Sequence, residues 1–499
     1  MIVEAGHYAL VLALAVAIVQ SVIPFWGARI NHPSLMMVGV SAAMTQFLFL
    51  ALSFTALAIA YMTSDFSVLN VAENSNSAMP TIYKFSGIWG NHEGSMLLWS
   101  LILSLFGALI AVLGRALPAQ LRADSIAVQG LMGAAFLLFI LFTSNPFARL
   151  VPAPVEGQDL NPILQDPGLA IHPPLLYLGY VGFSIVFSFA AAALIGGRID
   201  AAWARFVRPF ALIAWCFLTL GIAMGSYWAY YTLGWGGFWF WDPVENASLM
   251  PWLAGSAFVH SVAVMEKNGS LKVWTIFLAI LAFSFSLLGT FLVRSGVLSS
   301  VHAFANDPKR GVAILIILSF FIVSALALFA WRAPVLKQGG IFAPISREGA
   351  LVLNNLLLTT SCATVLIGTL YPLVVEQMTN NKITVGAPFF NMTCGVLMLG
   401  LFMLTPFGFS LSWKRGDLYG VSQRLFAAIT LSLIGFILIL AIDHAANIMA
   451  TLAAAIGFLV IFGTFTEILA RCSRGGYAIA HLVQRARGLP LSFWGGAIA

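Results

Sequence analysis

Residues 274–293 read WTIFLAILAFSFSLLGTFLV, a run of twenty positions without a charged side chain. A helix of this length crosses a hydrocarbon core of about 30 Å, so the run predicts a membrane-spanning helix. The whole sequence is 60% hydrophobic and only 8% charged. A water-soluble domain needs far more polar surface than this, and the composition therefore indicates a membrane protein.

Apolar runs long enough to span a membrane occur at thirteen places, and a fourteenth begins near Pro490 and reaches Ala499. The thirteen lie near 5–27, 36–62, 94–114, 126–143, 174–196, 209–226, 248–265, 274–293, 311–331, 350–371, 390–412, 425–442 and 446–469. We therefore predict an all-α fold, a polytopic bundle of transmembrane helices. We expect residues 1–499 to form a single transmembrane domain.

Basic residues predict how these helices are oriented. Of the 24 Lys and Arg, 18 lie on connections that share one side of the membrane. The other six are Lys84, Arg149, Arg294, Lys309, Arg310 and Lys382. Because cytoplasmic loops are enriched in Lys and Arg, this split predicts a periplasmic N-terminus. The excess of Lys and Arg on the cytoplasmic side, next to membrane lipid, also accounts for the net charge of +6. We therefore expect no nucleic acid as a partner.

The longest connections are predicted to lie on the outer face, and we expect the functional residues there. One of them, 227–247, contains the stretch WGGFWFWDPVEN from Trp235 to Asn246. Five of the residues 235–241 are aromatic, and the glycines let their rings approach each other. Such a surface suits a large planar ligand. An interfacial aromatic belt is the alternative, although a belt scatters its aromatics and does not need two glycines inside the cluster. The predicted platform consists of Trp235, Gly236, Gly237, Phe238, Trp239, Trp241 and Asp242.

Two histidines accompany this loop on the same predicted face. His172 precedes Pro173 and Pro174, which fix the backbone behind it, and His302 lies in a second outer loop. The pair is typical of the two axial ligands of one haem. A loop histidine that is hydrogen-bonded to the backbone is the alternative for each.

His260 differs because it lies inside an apolar run. An imidazole within the membrane is costly unless it is hydrogen-bonded or ligated, so His260 is a candidate haem ligand. A hydrogen bond between helices is the alternative. No other motif in the sequence suggests phosphate binding or a zinc site, and no set of acid–base or nucleophilic residues is evident.

Two further residues are candidates. His92 opens a predicted span in the stretch WGNHEGS, residues 89–95, and could bind a haem edge, a propionate or a quinol, or could be only a polar helix start. Arg294 ends another span just before the His302 loop. It could form a two-pronged contact with a haem propionate, or could extend to lipid headgroups.

Several of these stretches resemble the WWD haem-handling proteins of cytochrome c maturation, and specifically the CcmF family of cytochrome c haem lyases. The resemblance runs along the whole sequence. It is carried by WGNHEGS at 89–95, DLNPILQDPGLAIHPPLLY at 159–177, WGGFWFWDPVEN at 235–246, GTFLVRSGVL at 289–298 and SVHAFA at 300–305.

The resemblance implies a protein of the bacterial inner membrane with its WWD loop in the periplasm. Family members receive haem from the haem chaperone CcmE and, with CcmH- and CcmI-type subunits, attach its vinyl groups to the CxxCH thiols of apocytochrome c. It implies that His172 and His302 ligate this transient haem and that His260 is one ligand of a haem b, with quinol as a candidate electron source.

At its C-terminal end the sequence departs from the family. Longer members continue with the second haem b ligand, a periplasmic domain and a final span, and the ligand would fall just past Ala499. We therefore expect the 499 residues to lack that periplasmic domain and to bind haem b weakly or not at all.

Two other functions remain as alternatives. The protein could deliver haem without forming the thioether, or it could be a quinol-linked subunit that transfers electrons through haem b. The second alternative predicts many intramembrane histidine pairs and no outer platform, which is the reverse of what the sequence contains. A haem lyase subunit and a delivery protein share the platform, and only the CcmF-like stretches favour the lyase.

Overall fold

The computed structural model describes residues 1–232, 234, 237–295, 308–336, 339, 341–442, 447–473 and 479–498. Within these ranges, thirteen helical stretches are long and apolar enough to cross a membrane. The only bridge between extended segments there joins Val68 to Arg149. The prediction of an all-α polytopic bundle is confirmed.

The described residues form eighteen α-helices. They are α1 (Ile2–Arg29), α2 (Pro33–Met62), α3 (Leu69–Asn74), α4 (Thr81–Gly87), α5 (His92–Leu113), α6 (Ala119–Thr143), α7 (Pro167–Tyr180), α8 (Phe183–Gly196), α9 (Ala201–Thr232), α10 (Pro243–Asn268), α11 (Lys272–Ser295), α12 (Pro308–Arg332), α13 (Arg347–Thr379), α14 (Ala387–Ser410), α15 (Leu418–Ile442), α16 (Ile448–Cys472), α17 (Ile479–Arg487) and α18 (Leu491–Ile498). Short 3₁₀ turns occur at Gly114–Ala116, Pro162–Leu164 and Ala333–Val335.

The earlier start of one predicted span changes the placement of His172. The run predicted at 174–196 belongs to the helical stretch Pro167–Gly196, which consists of α7 and α8. Asp166 caps α7, because its carboxylate accepts the backbone N–H of Gly168 at 2.6 Å, and Pro167 occupies the first helical position. His172 therefore lies inside a helix, and its placement in a loop was wrong.

The chain divides into two compact units. One comprises Met1–Gln338 with Leu366–Ala387, and the other comprises Gly339–Val365 with Pro388–Ala499. The expectation of one domain over residues 1–499 stays a prediction. All described residues of the candidate site belong to the first unit.

Inside the first unit, helices pack through small residues and buried polar pairs, as expected where lipid supplies no hydrophobic drive between helices. Gln20 Nε2 donates to the carbonyl of Ile126 at 3.1 Å, which joins α1 to α6. An ion pair joins the same helices, with Arg29 Nη2 at 2.6 Å from Asp124 Oδ1. These contacts join α1 to α6, and α5 and α8 also pack against α6.

The second unit contains a buried carboxylate that forms ion pairs within and between its helices. Glu467 on α16 is buried and pairs with Arg471 at 2.8 Å and with Arg424 on α15 at 3.7 Å. The predicted division of 425–442 from 446–469 is confirmed by α15 and α16.

Candidate functional site

A cavity lies where α7, α9 and the start of α10 meet, and we call it the platform cavity. Its lining includes His172 and Leu176 of α7, Gly225 and Trp228 of α9, Trp239 of the loop before α10, and Glu245 in the first turn of α10. The structure thus brings one predicted ligand, His172, to the same cavity as one tryptophan of the predicted platform.

The ring of His172 is held from one side by α9. Its Nδ1 lies 2.7 Å from the carbonyl oxygen of Gly221. A carbonyl can only accept, so Nδ1 carries the proton and donates it, which places the imidazole lone pair on Nε2. The ring of Trp228 lies beside it, with centroids 6.2 Å apart and planes inclined by 32°.

Close approach of α7 and α9 depends on glycines that sequence reasoning missed. A Cβ at Gly225 would lie 2.5 Å from His172 Cε1, and a Cβ at Gly221 would lie 2.6 Å from Leu176 Cα. Both distances are shorter than carbon atoms tolerate, so only glycine fits at these positions. The four-residue spacing of small residues in an apolar helix is the signal that could have found them.

The tryptophan-rich loop is fixed to α10 by a capping box formed by Asp242 and Glu245. Asp242 Oδ2 accepts the backbone N–H of Val244 at 3.0 Å, and Glu245 Oε2 accepts the backbone N–H of Asp242 at 3.2 Å. Glu245 was not among the predicted site residues, although its position three residues after Asp242 is the sequence sign of this motif.

The aromatic rings of the loop are arranged edge to face. Trp239 and Trp241 have centroids 6.0 Å apart and planes inclined by 89°. Trp241 has a φ of 59°, a left-handed conformation that non-glycine residues seldom adopt. Phe238 beside them is exposed. Trp235 and Gly236 lie outside the described residues, so their predicted places in the platform stay predictions.

The other predicted iron ligand among the described residues does not line this cavity. His260 lies on α10, twelve positions after Ser248 of the cavity wall, or about 18 Å along the helix axis. It is half-buried. His302 lies outside the described residues.

His92 and Arg294 are buried nearby in the same unit. His92 Nε2 lies 3.0 Å from Ser144 Oγ, and its ring meets Phe139 edge-on. Arg294 Nη2 donates to Ser95 Oγ at 3.2 Å and to the hydroxyl of Tyr177 at 3.0 Å. At 2% exposure, Arg294 does not fit the alternative role of contacting lipid headgroups. It instead links α11 to α5 and α7.

Comparison with known proteins identifies the family. A family model described as "Cytochrome C assembly protein" matches residues 89–302, a region that contains every predicted site residue. The chain is 63% identical over 499 residues to the cytochrome c-type biogenesis protein CycK of Rhizobium meliloti strain 1021, covering 100% of this chain and 74% of that protein. The chain belongs to the CcmF/CycK family of cytochrome c-type biogenesis proteins.

Other members agree with this identification. CcmF of Escherichia coli strain K12 is 46% identical over 492 residues, which cover 97% of this chain and 76% of that protein. The solved structure of a cytochrome c heme lyase CcmF superposes with a TM-score of 0.79 at 28% identity, covering 100% of this chain and 75% of that chain.

Membership of the CcmF/CycK family establishes the general function. The protein is a multi-pass membrane protein of cytochrome c biogenesis, it belongs to a family that handles haem, and its partners are those of the cytochrome c maturation system. The quinol-linked alternative and the delivery-only alternative are not favoured by these relatives.

Proposed function

We propose that this protein holds haem at the platform cavity, with His172 and His302 as axial ligands, while the haem is joined to apocytochrome c. The observation that carries the proposal is that His172 and Trp239 line one cavity. Haem is here the substrate of the assembly reaction, and CcmE is the proposed donor.

The residues of the cavity fit this substrate. Donation from His172 Nδ1 to Gly221 leaves the lone pair on Nε2, the arrangement in which histidine ligates iron. Trp239 Nε1 is a buried donor that meets no acceptor among the described residues. A carboxylate such as a haem propionate would satisfy it, and the faces of Trp239 and Trp228 suit contact with a porphyrin.

The chemistry can then come mainly from the two thiols of the CxxCH motif. Each thiol S–H adds across a vinyl group, so that S–C and C–H bonds form while the S–H and vinyl π bonds break, with no net oxidation. The chain's own part in this proposal is to fix the ring by His172, to exclude water with Trp239, and to orient the vinyl groups. No catalytic side chain is assigned.

The location of the reaction, its protein partners and a second haem site are also proposals. The proposed location is the bacterial inner membrane, and the Lys and Arg distribution supports an orientation with the platform cavity on the periplasmic side. CcmH- and CcmI-type subunits and apocytochrome c are the proposed partners there. His260, inside α10, is the proposed ligand of a separate haem b, with quinol as the candidate source of electrons.

Co-purification with haem-loaded CcmE tests the proposal. We expect His172→Ala and His302→Ala to reduce the haem retained by at least about tenfold, because each removes an iron ligand. His32→Ala is the matched control, since His32 is an exposed histidine that only caps α2. Unchanged haem retention in both ligand variants would show that the assignment is wrong.

A further inference from the structure

The turn of α7 that carries His172 lacks one of its backbone hydrogen bonds. Pro173 lies inside this helix and has no backbone N–H. In a regular helix, that N–H would donate to the carbonyl four residues earlier, which is the carbonyl of Leu169. Leu169 is 4% exposed, so water does not readily replace the missing donor, and a buried carbonyl without a partner is unfavourable.

Trp89 supplies the missing donor from outside the helix. Its indole Nε1 donates to the carbonyl oxygen of Leu169 at 2.9 Å, across eighty positions of sequence. Trp89 is itself buried, at 7% exposure. The N-terminal turn of α7 is therefore hydrogen-bonded to the segment between α4 and α5.

That segment is held in place by its own hydrogen bonds. Asn91 Nδ2 donates to the carbonyl of Gly87 at 2.8 Å and to the hydroxyl of Tyr61 at 2.9 Å. The ring of Phe85 meets the ring of Trp89 edge-on, with centroids 5.2 Å apart. Trp89 is thus presented to Leu169 by a turn that is fixed to the end of α2.

Two hydrogen bonds restrain the part of α7 that carries His172. Leu169, three residues earlier and on the same turn of α7, is fixed by Trp89. The imidazole itself is fixed by Gly221 on α9. Both restraints therefore act on one turn of α7.

We propose that Trp89 is a positioning residue for His172, and that its hydrogen bond to Leu169 fixes the direction in which Nε2 faces the platform cavity. The proposal rests on the proposed function, in which His172 ligates haem iron. It gives a role to the WGNHEGS stretch, which the platform itself does not use.

The test is the electron paramagnetic resonance spectrum and the retained haem of the full chain, loaded from haem-bearing CcmE. We expect Trp89→Phe to lower haem retention by about tenfold, as the loss of an outer partner of a ligand commonly does. We also expect it to shift the iron from a low-spin to a high-spin signal, reversed by added imidazole. Trp203→Phe is the matched control, because the buried Trp203 indole also donates to a backbone carbonyl, that of Phe189, at 3.1 Å.

A second variant separates the hydrogen bond from the loss of ring contacts. Pro173→Ala restores an N–H that can bond to Leu169 within the helix. We therefore expect the double variant Trp89→Phe with Pro173→Ala to recover the low-spin signal, and it also keeps the test available should Trp89→Phe alone fail to fold. A double variant as impaired as Trp89→Phe would overturn the proposal.

The outcomes also distinguish this proposal from the proposed function. If Trp89→Phe gives the wild-type spectrum while His172→Ala loses its haem, Trp89 does not position the ligand, and the proposed function stands. If His172→Ala itself keeps the wild-type spectrum and haem content, the proposed function fails.

Discussion

The carboxylate of Glu245 accepts the backbone N–H of Phe240 at 2.9 Å. Since Glu245 also completes the capping box of α10, one side chain both starts this helix and holds the loop between Trp239 and Trp241. The position of the platform rings is therefore coupled to the first turn of a membrane-spanning helix.

Glu245→Ala should weaken both the cap of α10 and the attachment of the loop that carries Trp239 and Trp241. Loss of a capping side chain commonly lowers the free energy of unfolding by about 1 kcal/mol, and the Phe240 N–H also loses this acceptor. We expect a lower thermal midpoint in detergent together with a clear loss of haem retention. Asp200→Ala is the matched control, because Asp200 Oδ1 accepts the backbone N–H of Trp203 at 2.9 Å at the start of α9. Equal haem retention in the two variants would contradict the coupling.

Gly225→Ala should displace His172 without removing it. The added methyl group would lie 2.5 Å from His172 Cε1, so the ring or the helix must move. We expect haem retention to fall by about tenfold, as when the partner of a metal-ligating histidine is changed. Absorbance of retained haem after co-purification with CcmE measures this. Gly196→Ala is the control, since a Cβ at Gly196 meets nothing within 4 Å. Similar haem content in both variants would show that α7 and α9 adjust to the methyl group.

Asp65 should make the connection after α2 sensitive to acid. Burial alone would raise the pKa of Asp65, but hydrogen bonds from Ser67 and Arg149 outweigh it and lower the pKa below its ordinary value of 3.8. A depressed carboxyl pKa adds stability that is present above the ordinary value and is lost as the pH falls through the folded-state pKa.

Hydrogen exchange of the Ser67 amide, which donates to Asp65 Oδ1 at 3.2 Å, measures the effect. We expect its protection to decrease as the pH falls below about 4. Asp65→Asn should remove this dependence, whereas Asp159→Asn, a carboxylate change elsewhere in the same unit, should keep it. Protection that is constant across this range in the unmodified protein would be inconsistent with the role of Asp65.

Much of the fold follows from the sequence, because lipid permits few ways of satisfying the backbone. All thirteen predicted spans coincide with helical stretches. The error at α7 has a clear cause: Pro173 and Pro174 usually end a helix, and their presence hid the start that Asp166 and Pro167 signal.

The candidate site was less predictable. Aromatic clustering identified the loop that carries Trp239, and the spacing of Asp242 and Glu245 encodes its cap. The cavity that His172 and Trp239 share depends instead on the packing of α7 against α9: the spacing of Gly221 and Gly225 signals a close approach, but it does not say which helix approaches. The hydrogen bond from Trp89 to Leu169 joins residues eighty positions apart, and it is likewise visible only in three dimensions.

The walls of the platform cavity come from one continuous part of the chain, between His172 and Ser248. Contacts between segments that are close in sequence form early, since little loop entropy is lost in bringing them together. During synthesis, α7, α9 and the start of α10 are translated before α11 to α18. The walls of the platform cavity, although not the proposed ligand His302, can therefore assemble while the ribosome is still translating the remaining helices, so their formation need not wait for the second compact unit.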